Sequence, residues 1–226
     1  MKEKNKLGIY GIIGFVVWFL LQNYSDLPFK ILNINPPTLF LEVYTILIEI
    51  LTILFIFLLF KKEIVHMWKD FYENRDKYFK KYFKFWFLIL VLMAFSNGII
   101  TLINKSEISN NQEAINDMFE RLPIYTYILS VFLAPVIEEL VFRFCFMKIF
   151  NNKYLYIILS GVIFGLFHII GSFESAYDFL FLVPYSIPGL IFAYILYDSK
   201  NIFNTIWLHF VHNGISMLAS IIILLA

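Results

Sequence analysis

A succession of apolar runs constrains this chain more than any other feature, because each approaches the roughly 20 residues a helix needs to cross a bilayer core. They fall near 7–23, 38–60, 84–104, 123–150, 154–171, 177–197 and 202–225. Hydrocarbon offers backbone N–H and C=O groups no partners, so only helices and closed barrels span it. Barrel strands alternate polar and apolar residues, whereas these runs are continuous. The expected fold is therefore all-α, a polytopic transmembrane helix bundle of about seven spans, within a range of six to eight.

Composition agrees. Of 226 residues, 60% are hydrophobic, 20% aromatic and 15% charged, against about 25% charged in soluble domains. One core could not bury so much apolar surface in water. The start "MKEKNKLGIYGIIGFVVWFLLQ" has the basic and apolar parts of a signal peptide. It is followed by "NYSDLPFK" rather than a small-residue cleavage site, so a retained first span is expected. One cysteine, Cys145, leaves no internal disulfide. The net charge of +1 says little about partners. No nucleic-acid partner is expected, because the basic residues cluster beside spans.

Loop charges set an expected orientation. Between spans two and three, eight Lys and Arg (Lys61 to Lys84) oppose Glu63, Asp70, Glu73 and Asp76, a net of +4. In the next loop Lys105 and Arg121 oppose Glu107, Glu113, Asp117 and Glu120, a net of −2. Lys2, Lys4 and Lys6 open the chain, and Lys148, Lys153 and Lys200 flank later loops. Positive-inside counting places the N-terminus in the cytoplasm and, with seven spans, the C-terminus outside a multi-pass cell-membrane protein. Segment 61–84 interleaves aromatic and charged residues, which suits a cytoplasmic amphipathic helix on the membrane surface. The outward loop is expected to include a short helix starting near Ser109. It divides an amino-terminal part, 1–122, from a catalytic membrane core, 123–226.

Charged and imidazole groups within spans cost several kcal/mol unless paired or wet, which makes them candidates for function. Glu138, Glu139 and Arg143 lie in span four, His168 in span five, and His209, His212 and Asn213 in span seven. Glu139 and Arg143 are i,i+4 and share a face, as do His209 and Asn213, and Phe164 and His168. Glu138 is turned by about 100° from Glu139 and is free to face another helix. Glu42 and Glu49 share a face of span two, open to cavity lining, pairing or snorkelling. Asp178 is read as interfacial, and Pro184 and Pro188 as a bend in span six. A carboxylate in a water-poor pocket is a serviceable base. Imidazole and carboxamide groups aimed at the same point can hold a water and stabilise an oxyanion. This set suits amide hydrolysis without a covalent enzyme intermediate.

"EELVFR", "FGLFH" and "HFVHN" match, in order and on separate spans, the motifs E-E-x-x-x-R, F-x-x-x-H and H-x-x-x-N. The chain thereby resembles the CAAX-protease and bacteriocin-processing (CPBP, or Abi) family of intramembrane endopeptidases over about 123–225. The resemblance implies a glutamate-based protease in which Glu138 activates water with His168 as partner. It implies that His209 and Asn213 form the oxyanion site, and that Glu139 and Arg143 pair to position the motif, with Phe164 supporting. It selects His209 over His212. Expected partners are a peptide or membrane-anchored substrate and the lipid bilayer, with no cofactor and no metal. Family relatives are linked to prenylated substrates, to bacteriocin and pheromone processing, and to self-immunity. The alternatives are a non-catalytic immunity or scaffold protein, a proton-coupled transporter, or a zinc protease using Glu138, His168 and His209.

Overall fold

The protein is described from a computed structural model covering residues 2–104 and 108–225, with side chains from 4–103 and 108–222. Lys105 and Glu107 of the loop count, and the side chain of Lys2, lie outside the described residues. Nine main helices follow one another among the described residues, with a 3-10 helix, Ala176–Phe181, leading into the eighth. They are α1 (Lys2–Tyr24), α2 (Leu27–Ile31), α3 (Thr38–Leu59), α4 (Lys61–Asn104) and α5 (Asn110–Arg121), then α6 (123–149), α7 (Lys153–Ile170), α8 (Leu182–Ser199) and α9 (Phe203–Leu225). No strand occurs among the described residues. Among the described residues, six helical stretches are long and apolar enough to cross a membrane: α1 with α2, α3, α4, α7, α8 with its preceding turn, and α9. The seventh expected span is α6, which has the length but carries Glu138, Glu139, Arg143 and Lys148.

The amphipathic segment is not a separate surface helix. Residues 61–104 form one uninterrupted helix of 44 residues, about 66 Å at 1.5 Å per residue. Hydropathy changes near residue 84, but neither Pro nor Gly occurs between Lys61 and Asn97 to end the helix. The charged half docks on the turn between α8 and α9. Asn201 donates through its side-chain amide to Met67 O and Asp70 Oδ2, both at 2.7 Å. Tyr82 and Lys81 both reach Asp198, each at 2.7 Å, and Trp68 packs edge-on against Phe203, 5.0 Å between ring centroids.

The expected helix near Ser109 is α5. The Ser109 hydroxyl caps it by accepting from Gln112 N–H at 3.2 Å, the usual remedy for unpaired N-terminal donors. Asp178, expected at an interface, is a buried cap: its carboxylate accepts from Glu174 and Ser175 N–H groups at 2.8 and 2.7 Å.

Small residues bring the central helices together. α7 and α8 make the most extensive helix pair. A Cβ on Gly161 would come within 2.6 Å of the Leu190 side chain, and one on Gly189 within 2.8 Å of Gly161 Cα. α1 meets α6 in the same manner, since a Cβ on Gly11 would lie 2.7 Å from Cys145 O. Without a hydrophobic force between helices in lipid, such close van der Waals contact is a main source of association. Cys145 is fully buried in this contact.

Candidate active site

The site is built on a helix whose register shifts twice. Within α6, residues Ile128–Leu133 and Glu139–Cys145 are π-helical, on either side of the α-helical turn Ala134–Glu138. Pro135 explains how the first wide turn is used. The Ala134 N–H reaches back five residues to Leu129 O, so in that register the Ser130 carbonyl falls to Pro135, which has no N–H. That carbonyl accepts instead from the Asn213 side-chain amide on α9, at 2.8 Å. The second wide turn is tied from α7, where the Ser160 hydroxyl donates to Phe142 O at 2.7 Å. A proline and a wide turn thus fix where α7 and α9 sit relative to the two glutamates.

These adjacent glutamates have different surroundings. The Glu139 side chain is fully buried, with Oε1 accepting from His209 Nδ1–H at 2.9 Å and lying 3.4 Å from Arg143 Nε. The Arg143 guanidinium, also fully buried, finds no hydrogen-bond acceptor among the described residues and lies on the Phe164 ring, 3.9 Å from its centroid. Cation–π attraction at a desolvated site is worth about 2 kcal/mol, so Phe164 contributes directly to holding this charge. The Glu138 side chain retains 19% exposure and lines a cavity of about 180 Å³. His168, His209, His212, Asn213 and Phe164 line the same cavity.

Both imidazoles are oriented. His168 Nδ1 lies 2.9 Å from Phe164 O. A carbonyl only accepts, so Nδ1 carries the proton and the neutral ring keeps Nε2 as acceptor. The ring stacks on Tyr185, 4.8 Å between centroids, and packs beside Phe164 at 4.3 Å. The Tyr185 hydroxyl is in turn held by Ser109 at 2.6 Å and Asn111 at 3.1 Å. His209 donates through Nδ1 to Glu139, and its Nε2 lies 3.6 Å from Glu138 Oε2. No ion pair joins Glu138 to His168 among the described residues, although both line the cavity. The Glu138 partner at ion-pair distance is therefore His209, where the resemblance assigned that place to His168. His212 is buried, with no hydrogen-bond partner for Nδ1 among the described residues.

Glu138, Phe164, His168, His209, His212 and Asn213 thus line one cavity, with Glu139 and Arg143 in the charge network behind it. Sequence reasoning missed Tyr185, Ser130 and Ser160. Only Ser130 had a readable signal, its place five residues before Pro135. Among the described residues, no group of three or more His, Cys, Asp or Glu side chains has the arrangement to hold a metal ion.

Residues 120–215 match a family model described as type II CAAX prenyl endopeptidase Rce1-like. The chain is 30% identical, over a 244-residue alignment, to an uncharacterized protein of Mycoplasma capricolum, covering 94% of this chain and 67% of that protein. It is 22% identical over 140 residues to the UPF0177 protein YvdC of Lactococcus lactis, covering 61% of this chain and 51% of that one. With the UPF0177 protein YbdI of the same organism it shares 45% identity over 58 residues, 25% of this chain and 32% of the relative. The chain therefore spans about two thirds, one half and one third of these relatives. No solved structure matches it.

Proposed function

We propose an intramembrane endopeptidase on this premise: the chain belongs to the Rce1-like family, of type II CAAX prenyl endopeptidases, through residues 120–215. The observation that carries the reading is Glu138, a cavity-facing carboxylate 3.6 Å from an imidazole nitrogen whose opposite nitrogen is held by buried Glu139. Held in this way, His209 presents Nε2 to Glu138 with its tautomer and ring orientation fixed.

In the proposed reaction Glu138 takes a proton from a cavity water, and the water oxygen attacks the scissile carbonyl carbon. The carbonyl π electrons move to oxygen, giving a tetrahedral oxyanion. His168 and the Asn213 amide hydrogen not bound to Ser130 are the nearby groups able to steady the water and the oxyanion. Glu138 returns the proton to the departing nitrogen, the oxyanion re-forms its C=O as the C–N bond breaks, and the new carboxyl group gives its proton to the amine, so that one water yields one carboxylate and one ammonium. His209 can hold the proton between the two steps. General acid–base catalysis of this kind contributes about 10²- to 10⁴-fold.

Substrates are peptides or membrane-anchored precursors approaching through the bilayer. The N-terminus is placed in the cytoplasm and the C-terminus outside, on the loop charges. The test is a peptidomic comparison of cells carrying the native protein and Glu138→Ala. A peptide whose processing disappears with Glu138 identifies activity and substrate together. Identical peptidomes, with both proteins present in the membrane at equal level, would count against an endopeptidase and favour a scaffold or immunity role.

A further inference from the structure

A second cavity also reaches Glu138. A groove of about 580 Å³ is lined by Glu138 and His168 at one part and by Trp18, Gln22 and Glu49 of α1 and α3 at another. Among the described residues, two carboxylates line it and no Lys or Arg does. Glu49 is buried, with 8% exposure. Its Oε1 accepts from the Gln22 side-chain amide at 2.6 Å, while Oε2 has no hydrogen-bond partner among the described residues. A glutamate serving only to join α1 to α3 would be explained by the Gln22 contact alone. It would not explain a carboxyl group with one oxygen left over on the wall of a groove leading to the proposed base.

We propose that Glu49 anchors a cation subsite in this groove, which takes an ammonium or guanidinium group of the peptide whose scissile bond lies at Glu138. The proposal rests on the endopeptidase reading for the position of the cut. Like-signed groups in a cleft with low-dielectric walls focus the field and concentrate the opposite charge. Ammonium and guanidinium groups are donors without acceptors, the complement of an unpartnered carboxyl oxygen. A neutral side chain would leave that oxygen unmatched after displacing whatever solvent reaches the groove. The cation can come from a lysine or arginine side chain or from a free amino terminus.

The test measures binding, so that it does not depend on cleavage. A short apolar peptide is prepared with one lysine scanned through it, together with norleucine twins, each with free and acetylated amino termini. Affinities are measured for the native protein, Glu49→Gln, Glu49→Lys and Glu138→Gln in detergent. The expected result is about tenfold tighter binding of the lysine peptide at one position, the scale of a charge-assisted hydrogen bond. Preference confined to free amino termini would instead name the terminus as the cation. The preference should persist in Glu138→Gln, vanish in Glu49→Gln, and pass to a glutamate-bearing peptide in Glu49→Lys. Twins that bind the native protein equally at every position, with either terminus, would overturn the subsite, as would a preference that survives Glu49→Gln. A lysine preference in a protein that cleaves nothing would uphold the subsite and sink the endopeptidase reading.

Discussion

Removing the charge of Glu139 separates an ionic explanation of the core from a packing one. Its carboxylate is fully buried, 3.4 Å from Arg143 Nε, and the guanidinium has no hydrogen-bond acceptor among the described residues. Glu139→Gln keeps the shape and an acceptor for His209, but leaves a buried cation with the faces of Phe164 and Phe192, 3.9 and 5.9 Å away, in place of an anion. Breaking a buried pair from one side costs about 3–5 kcal/mol. Arg143→Met leaves the Glu139 carboxylate with its hydrogen bond from His209 Nδ1 at 2.9 Å, so its cost should be smaller. The double variant removes both charges, and such replacements are commonly close to neutral. The expected coupling is therefore at least about 3 kcal/mol, well above the roughly 0.5 kcal/mol scatter of independent sites. It can be read from unfolding free energies in mixed-detergent titrations of the four proteins. Cleavage should not return with stability in the double variant, since His209 no longer has an anion behind it. Additive losses would refute the reasoning, and so would a Glu139→Gln loss below about 1 kcal/mol.

Three further outcomes follow from the same geometry. His209→Ala should reduce cleavage by at least about 10²-fold, the lower end of a general acid–base contribution, whereas His212→Ala should change it only a few-fold; the reverse order in a peptide-release assay would place the role on the wrong imidazole. Gly161→Ala should destabilise by about 1–3 kcal/mol, as overpacking does, because its Cβ would come within 2.6 Å of the Leu190 side chain; an unchanged unfolding midpoint would show that α7 and α8 part easily. Purified protein should carry less than stoichiometric zinc and keep cleaving after chelation, since no metal-holding group of three His, Cys, Asp or Glu side chains forms among the described residues; activity lost with the metal and restored by zinc would make this a metalloprotease.

What the sequence revealed, and what it hid, divides along physical lines. Periodicity within one helix was readable. Helical spacing of i,i+4 put Glu139 beside Arg143 and Phe164 beside His168, and both pairs meet in the structure. Expense was readable too, because charges inside apolar runs demand partners, and these charges lie together. The extent of α4 was not readable from hydropathy, which reports the environment along a helix rather than where the helix stops. Breakers report that, and the absence of Pro and Gly from Lys61 to Asn97 was the better signal.

Pairing between helices was hidden for a different reason. His209 and Glu139 are 70 residues apart, and Gln22 and Glu49 are 27 apart; no spacing rule links them. Which helices touch is decided by surfaces that can approach closely, as Gly11 allows where α1 lies on the Cys145 backbone. That contact joins a segment outside the family match to the wide turn Glu139–Cys145, which carries the buried charge pair. The motif-poor amino-terminal helices are thus part of how the site is held. α1 braces the turn behind the glutamates, and with α3 it walls the groove that opens onto Glu138. A sequence reading that searched only for charged motifs could not find this bracing, because α1 makes it through Gly11 and through Phe15 and Trp18, whose rings pack on Phe142.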